Sequence, residues 1–347
     1  SMLMVGVRSR GETIRQFIVD NVSAHPTSIV ALTSEKFEIS RQAVNNHIQR
    51  LVTQKALVAE GNTRNRVYKL HPEIVTSESL LLKGLEEDLV WREFVLPRLG
   101  VLPDNVIDIW SYGFTEMLNN AIDHSQGQHA SISIEKNPAF TQISITDDGE
   151  GIFLRIQRLM ELHDERHAVL ELAKGKLTTD PENHTGEGIF FSSRMFDEYA
   201  ILSGGVYFSH EFSRPEDWIM ERENPRNGTT VFMQLTNNSS RTVKSVFDKY
   251  ASGNEYGFDK TVVPVTMARY GNELLVSRSQ AKRLLARVDR FKIVIFDFSG
   301  IDQIGQAFAD EVFRVFRNKH PEMQLYFSKA EPQVEDMIIR ALRSDEI

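Results

Sequence analysis

The stretch from Ile107 to Ser125 constrains the fold of this chain more than any other, because its pattern fits one helix with two different faces. Glu116 and Asn120 stand four residues apart, so their side chains share one face, and Asp123 extends that row by one turn. A carboxylate there can activate a water, and an amide oxygen can hold a hydrated metal ion. Such a pair alone is usually only the polar flank of a helix. The apolar residues recur at steps of three and four and predict a buried stripe of Trp110, Phe114, Met117 or Leu118, and Ala121 or Ile122.

Three further motifs follow this stretch along the chain. Alternating segments at 130–136 and 141–146 predict strands, and the second leads into Asp-Asp-Gly-Glu-Gly at 147–151. Thr-Gly-Glu-Gly at 185–188 opens an apolar helical run, and Gly-Thr-Thr at 228–230 begins the strand VFMQL. In isolation such motifs are usually turns, loops and strand edges. Their order and spacing together with the helix make a more specific pattern.

Together the four motifs resemble the GHKL ATPases, which include gyrase-type topoisomerases, heat-shock chaperone ATPases, mismatch-repair proteins, sensor histidine kinases and anti-sigma serine kinases. The resemblance covers about residues 80 to 240. It implies a Bergerat-type α/β sandwich, a mixed sheet with helices on one face, that binds ATP and Mg²⁺. In this resemblance Glu116 orients or deprotonates the attacking water, Asn120 ligates Mg²⁺, and Asp147 accepts a hydrogen bond from the adenine amino group. The other residues implied to contact the nucleotide are Asp123, Gly149, Gly151, Thr185, Gly186, Glu187, Gly188, Thr229 and Thr230.

The segment between Ile152 and His184 corresponds to the ATP lid of that superfamily, with a helix predicted around Phe153 to Lys174. Lys174 and Lys176 are candidates for contact with the γ-phosphate on lid closure, and solvated loop charges are the alternative. A connecting helix is predicted from Thr76 to Leu99, and it contains no histidine. Histidine autophosphorylation is therefore not expected. Asn-Ala-Ile-Asp-His at 120–124 is closer to the pattern of anti-sigma kinases.

The first 75 residues predict three helices followed by a hairpin, and they resemble a winged helix-turn-helix domain. Residues 1–70 carry ten basic and five acidic residues, or +5, while the whole chain carries −8 and the remainder therefore −13. A basic module on an acidic body is typical of nucleic-acid binding. The alternative is a protein-contact module with ordinary surface arginines. Residues predicted to bind double-stranded DNA, in the major groove or on the wing, are Ser40, Arg41, Gln42, Asn45, Arg50, Arg64 and Arg66.

After a predicted linker at 250–260, rich in Gly, Ser and Asn, a smaller α/β unit follows. Its segment VIFDFSGIDQIGQAFADEVFRVF resembles the STAS domain of anti-anti-sigma factors. The phosphorylatable serine of that family falls at Gln306 or Ala307 here, so a phosphoserine switch at that place is excluded. The resemblance then implies a docking or dimerising module, with a protein partner or a second copy of the chain.

These observations predict an α+β multidomain protein: a winged helix at 1–75, a GHKL domain with its helical connector at 76–248 and a STAS-like domain at 259–347. The chain has no cysteine and no run of about 18 apolar residues, so we expect a cytoplasmic protein without membrane contact. The predicted function is that of a DNA-binding regulator controlled by Mg-ATP. Two alternatives stay open: an anti-sigma-type serine/threonine protein kinase, and an interaction scaffold in which the nucleotide is structural.

Overall fold

The computed structural model describes residues 9–159, 161, 162, 164–174, 187–250, 260–269, 273–286 and 288–343. The chain divides into two compact units, one formed by 1–76, 134–142 and 236–238, the other by 77–133, 143–235 and 239–347. Helices and sheets are both present in quantity, so the predicted α+β class is confirmed. Across the described ranges, no helix has the length and apolar character needed to cross a membrane.

The N-terminal unit contains three helices and a short hairpin. Ser9 and Glu12 form a reciprocal capping box at the first helix, and the Ser40 hydroxyl accepts the Ala43 N–H at 3.2 Å at the third. Ile18, Val44 and Ile48 are fully buried, so one side of each of these helices makes the core. The elements are α1 (Arg10–Asn21), α2 (Ile29–Phe37), α3 (Arg41–Thr53), β1 (Leu57–Glu60) and β2 (Val67–Leu70), with β1 and β2 antiparallel.

A five-stranded sheet forms the centre of the chain, in the order β3-β4-β5-β7-β6. Side chains alternate across it, with Ala130, Ile132 and Ile134 fully buried on one face of the second strand. The last two strands form a long antiparallel hairpin whose register shifts around Gly204. The strands are β3 (Ile74–Leu81), β4 (His129–Lys136), β5 (Phe140–Asp147), β6 (Glu198–Glu211) and β7 (Arg214–Thr236).

Helices of the same region supply the residues that line the candidate site. A π-helical segment, Asn120–His124, directly continues the sixth helix. That helix packs closely, because a Cβ on Gly113 would lie 2.4 Å from the Phe196 ring, and the Trp110 and Phe196 rings are 4.9 Å apart. The helices are α4 (Glu87–Val90), α5 (Leu96–Leu99), α6 (Asp104–Asn119), α7 (Ile152–Leu159), α8 (Glu165–Lys174), α9 (Glu187–Met195) and α10 (Val243–Tyr250), with a π-helical turn, Trp91–Val95, joining the first two.

The helix predicted over Thr76 to Leu99 is wrong in its first part. Residues up to Leu81 belong to β3, and helical structure begins only at Glu87. The segment alternates and is β-branched at its start, and β3 lies next to β4 at the edge of the sheet. Cross-strand pairing therefore decides a stretch whose leucines also fit helical spacing. The lid helix predicted to Lys174 is likewise two helices, α7 and α8.

The C-terminal part contains a three-stranded parallel sheet in the order β10-β9-β8, with β9 paired to both neighbours. Val263, Val294 and Phe296 are fully buried on one of its faces. An isolated parallel bridge pairs Leu275 with Ile304. The elements are β8 (Lys260–Pro264), α11 (Arg278–Leu285), β9 (Ile293–Asp297), α12 (Gln306–Asp310), α13 (Arg317–Lys319), β10 (Gln324–Ser328) and α14 (Pro332–Arg343), with a π-helical segment, Glu311–Phe316, between α12 and α13.

Candidate functional site

A cavity lies where the end of α6, the end of β5, the start of α9 and strands β6 and β7 meet. Its polar lining comes from Asn120, His124, Ser125, Asp147 and Thr229. The rest of its lining is apolar, so a few polar groups stand within a mainly apolar wall. The apolar lining residues are Met117, Ala121, Ile145, Ile152, Ile189, Ile201 and Val231.

Asp147 is the buried carboxylate of this cavity, with 8% of its surface exposed. Its Oδ1 accepts the backbone N–H groups of Gly149 at 2.9 Å and Thr229 at 3.3 Å. No hydrogen bond to Oδ2 occurs within the described residues. Burial raises the pKa of the Asp147 carboxyl, against the lowering by its two backbone donors, and the nearby Asp148 carboxylate raises it further. The position of Oδ2 therefore suits a hydrogen-bond donor on a ligand.

Glycines bring the backbone close together around Asp147. A Cβ on Gly149 would lie 2.1 Å from the Ser125 carbonyl oxygen, and one on Gly228 would lie 2.1 Å from the Asp147 carbonyl oxygen. Gly151 and Gly228 have φ angles of 94° and 89°, a region that side chains rarely adopt. The Thr229 hydroxyl then accepts the Ile152 N–H at 2.9 Å and ties β7 to the start of α7. Any larger residue at these glycines would open the cavity wall.

Glu116 lies beside the first turn of α9. A Cβ on Gly188 would stand 2.1 Å from Glu116 Oε2, so the carboxylate sits directly against the Gly188 backbone. The exposed N–H groups and the dipole at the beginning of a helix attract negative charge. The structure thereby brings Glu116 next to the second glycine motif, although Glu116 itself is not among the cavity-lining residues.

The π-helical segment after α6 sets which side chains point into the cavity. Asn120 and His124 line it, whereas Asp123 is exposed and does not. A π-helix has i→i+5 bonds and more residues per turn than an α-helix. The residue one turn beyond Asn120 is therefore His124. Asp123 does not continue the row of Glu116 and Asn120, although α-helical spacing would place it there.

Some residues predicted for this site lie outside the described residues or outside the cavity. Lys176, Thr185 and Gly186 are outside the described ranges. Residues 251–259 of the predicted linker are outside them as well. Lys174 and Glu187 lie at helix ends, and their side chains are not described. The Thr230 hydroxyl is 3.0 Å from that of Thr146, away from the cavity lining.

Among the residues that line the cavity, Asp147 and His124 are the ones of the types that commonly hold metal ions, and Asn120 adds an amide oxygen. No cluster of three or more His, Cys, Asp or Glu side chains suited to a metal ion occurs in the part of the chain that the structure describes. Mg²⁺ commonly keeps waters and takes few protein ligands together with substrate phosphates.

Sequence reasoning missed two serines that hold the cavity wall. The Ser125 hydroxyl donates to the Ala121 carbonyl at 2.6 Å and accepts the Gly127 N–H at 2.9 Å, while its own carbonyl accepts the Glu150 N–H. Ser203 is fully buried, and a Cβ on Gly151 would lie 2.9 Å from its hydroxyl. The Ser-Gly-Gly sequence at 203–205 is the one signal for the second, because small residues allow close approach.

In the N-terminal unit, the residues predicted to bind DNA are all exposed. Arg41, Gln42 and Asn45 lie on the outer side of α3, opposite the buried Val44 and Ile48. Ser40 caps the helix. The other three residues predicted to bind DNA lie elsewhere in the unit. Arg50 is near the end of α3, and Arg64 and Arg66 are at the tip of the β1–β2 hairpin.

Comparison with known proteins identifies one part of the chain. Residues 280–335 match the family model of a STAS-like domain of unknown function, DUF4325. This range lies within the predicted STAS-like domain, so the resemblance of the C-terminal segment is confirmed. A comparison with curated proteins gave no match.

Proposed function

We propose that this protein is a regulator that binds Mg-ATP in the cavity at Asp147, within a GHKL-type domain of Bergerat fold, and binds DNA through a winged-helix domain. The observation that carries the proposal is the convergence of Asn120 and Asp147 on one cavity, with Glu116 against the adjacent helix start. Three motifs that are far apart in the sequence supply these groups. A conjunction of that kind supports a nucleotide site more strongly than any motif alone.

The proposed roles follow from the chemistry of each group. Asp147 Oδ2 accepts a hydrogen bond from the exocyclic amino group of adenine, while the apolar lining covers the ring. Asn120 provides an oxygen ligand for Mg²⁺, which neutralises phosphate charge when bound. Glu116 is close enough to the α9 start to orient a water there, a contribution of about 10²- to 10⁴-fold in rate.

The direct test is calorimetric titration of the full chain with ATP and ADP in the presence and absence of Mg²⁺. We expect both nucleotides to bind and Mg²⁺ to strengthen ATP binding, while GTP, which presents a carbonyl where adenine has its amino group, binds more weakly. Absence of a heat signal with either adenine nucleotide would refute the site. Asn120→Ala should remove the Mg²⁺ effect, with Asn119→Ala, the neighbouring residue outside the lining, as control.

Hydrolysis is tested separately from binding. Glu116→Ala should abolish phosphate release from ATP and leave nucleotide affinity within about threefold, because the carboxylate acts on water rather than on the base. Asp108 is exposed on the same helix two turns earlier, and Asp108→Ala is the matched control. Equal loss of activity in both variants would assign Glu116 a structural role.

DNA binding by the N-terminal unit is supported by the basic charge of residues 1–70 and by the exposure of the outer side of α3. Arg41→Gln and Arg64→Gln should weaken duplex binding, and each lost phosphate contact should lower the slope of log affinity against log salt by about 0.9. Lys36→Gln, an exposed charge on α2, is the control. Duplex binding that is absent even at low salt would exclude this part of the proposal.

The regulatory link is an ATP-dependent change in DNA affinity or oligomeric state. The DNA affinity of the full chain should differ between ATP-bound and nucleotide-free protein, and equal affinities would contradict it. Asn-Ala-Ile-Asp-His at 120–124 favours a second candidate, a serine/threonine protein kinase of the anti-sigma type acting on a partner. With γ-labelled ATP, label on a protein supports the kinase, whereas label released as free phosphate supports the ATPase.

A further inference from the structure

A second cleft lies at the carboxyl ends of the parallel strands of the STAS-like part. Pro264 ends β8, Asp297 ends β9, and Ser328 and Lys329 stand at the end of β10, and all four line the cleft. In open α/β sheets the carboxyl edge is where ligands usually bind, because the loops that follow the strands splay apart there. The position alone marks this edge as a candidate site, separate from the cavity at Asp147.

The cleft extends along one face of the sheet, where Val262 and Ile295 are half-buried. Val262 pairs with Ile295 and Pro264 with Asp297, so these residues share the face that lines the cleft. The opposite face carries the fully buried Val263, Val294 and Phe296. The cleft has a volume of about 660 Å³ and is open to solvent. It therefore has room for a ligand larger than a single inorganic ion.

Two arginines on the opposite wall are held in place by aromatic rings. The Arg241 guanidinium lies 3.6 Å from the centre of the Phe212 ring, and it donates to the Met195 carbonyl and to Asp197. Only 6% of the Arg194 surface is exposed, and its guanidinium lies 4.5 Å from the Phe190 ring centre. Side chains ordered before binding lose little conformational entropy when a ligand arrives.

Four of the described lining residues are cationic, and one of them, Arg241, is paired at 2.9 Å with Asp197, which is not a lining residue. Arg194, Arg241, Lys249 and Lys329 are cationic, and Asp297 is the one acidic residue among the described lining groups. Asp297 is already engaged, because its Oδ1 accepts the Ser299 N–H and hydroxyl and its Oδ2 lies 3.9 Å from Lys329 Nζ. The part of the chain beyond residue 70 is acidic overall, at −13, so this concentration of cations runs against its surroundings.

We propose that this cleft is a binding site for a phosphate-bearing small molecule of about nucleotide size. Arg194 and Arg241 place guanidinium groups on the lining, a group whose charge and shape suit phosphate oxygens, and Lys249 and Lys329 add two ammonium groups. Ser213, Ser245 and Ser328 add hydroxyl groups, and the apolar face of Val262 and Ile295 covers the non-phosphate part of the ligand. The inference does not depend on the proposed nucleotide cavity, which lies around a different aspartate.

The test is calorimetric titration of the full chain with inorganic pyrophosphate at low ionic strength. We expect saturable binding, and Lys249→Gln with Lys329→Gln together should weaken it about tenfold, which is about 1.4 kcal/mol. Lys319→Gln, an exposed cation on α13 outside the cleft lining, should leave the affinity within about twofold. Asn120→Ala should also leave it unchanged, which separates this site from the first cavity.

Hydrogen exchange provides the second readout and locates the site. Pyrophosphate should slow amide exchange at 324–329 and at 293–299, and the double lysine variant should lose this protection at the same pyrophosphate concentration. Unchanged affinity in the double variant, or no saturable binding, overturns the proposal. Tighter binding of a hexaglutamate peptide than of pyrophosphate also overturns it, since the cleft would then recognise an acidic protein segment. Pyrophosphate binding without ATP binding elsewhere would refute only the proposed function.

Discussion

Asp147 and Asp297 occupy equivalent local positions in two different sheets. Each ends a strand, each is more than nine-tenths buried, and each accepts the backbone N–H of the residue two positions later, at 2.9 Å in both cases. Around Asp147 the lining is mainly apolar, and the residue itself lines the cavity. Around Asp297 the neighbours are Ser299 and Lys329, and Arg194 and Arg241 line the same cleft.

The comparison teaches that an aspartate in a turn after a strand is a structural element first. It holds the loop in both places, and the surroundings decide what the carboxylate can recognise. An apolar cavity leaves Asp147 to select a ligand by a single hydrogen bond and by shape. A cationic cleft instead selects by charge, and there Asp297 positions a lysine and a loop. The two regions should therefore respond to substitution in opposite ways.

The largest expected effect is on nucleotide binding. In Asp147→Asn, Oδ1 still accepts the two backbone N–H groups, so the amide NH₂ takes the place of Oδ2. This NH₂ would face the amino group of adenine, and two hydrogen-bond donors cannot bond to each other. Loss of a charge-assisted hydrogen bond of about 1.5–3 kcal/mol should weaken ATP binding about 10- to 150-fold by calorimetry. Asp297→Asn is the matched control and should change ATP affinity less than twofold. Equal effects of the two substitutions would contradict the distinction between the regions.

A pair of glycines sharpens the contrast between chemistry and packing. Gly188→Ala places its Cβ 2.1 Å from Glu116 Oε2, the mobile end of a side chain, so the carboxylate moves and the fold is retained. We expect at least about a tenfold loss in ATP hydrolysis with little change in the urea midpoint. Gly305→Ala places its Cβ 2.8 Å from the Val276 Cα, which is backbone, and should cost about 1–3 kcal/mol of unfolding free energy.

Activity per folded molecule should be unaffected in Gly305→Ala. The two glycines are compared by phosphate release and by urea unfolding on the same preparations. A stability loss in Gly188→Ala as large as that in Gly305→Ala would mean that Glu116 is locked in place by its surroundings. The contact with the start of α9 would then be a packing feature.

The smallest expected effect is a pH dependence of opposite sign at neighbouring residues. Burial raises the pKa of Asp147, so the folded protein retains that proton to higher pH than the unfolded chain and loses stability as pH rises. Asp147→Asn should therefore be the more stable protein at pH 7, by about 1.4 kcal/mol for each unit by which the pKa is raised, with the gain vanishing toward pH 3.

Asp148 provides the internal control for this titration. Hydrogen bonds to its carboxylate from the His129 and Gln128 backbone lower its pKa, so its contribution is present at neutral pH and is lost as pH falls through the lowered pKa. Asp148→Asn should be less stable than the parent at pH 7, by a small amount because the carboxylate is half exposed. Urea unfolding at several pH values measures both, and shifts of the same sign would contradict the assignment.

Much of the architecture is readable from local patterns. The strands predicted at 130–136 and 141–146 lie within β4 and β5, and three helices precede a hairpin in the N-terminal unit, as the residue pattern predicts. The buried stripe of α6 contains the residues expected at steps of three and four. Glu116, Asn120 and Asp147 were predicted from motif order, and the structure brings them close to one cavity.

The rest depends on contacts between distant segments. Strand β3 was predicted as helix because Leu80 and Leu81 fit both periods, and the neighbouring strand β4 decides between them. Ser125 ends the stretch that begins at Ile107 without a predicted role, and Ser203 lies outside the four motifs. The roles of both serines come from the close approach of Gly149 and Gly151. The cationic cleft joins residues from Arg194 to Lys329, a separation that no local pattern encodes.

The π-helical segment at Asn120–His124 has a consequence for comparing this chain with relatives. Removing Ile122 would restore α-helical spacing and rotate every later side chain of the segment by about 100°. His124 would leave the cavity wall, and Ser125 would lose its position under Gly149. A homologue without the π bulge is therefore best aligned with a one-residue gap at this place, and a gapless alignment would compare cavity residues with surface residues.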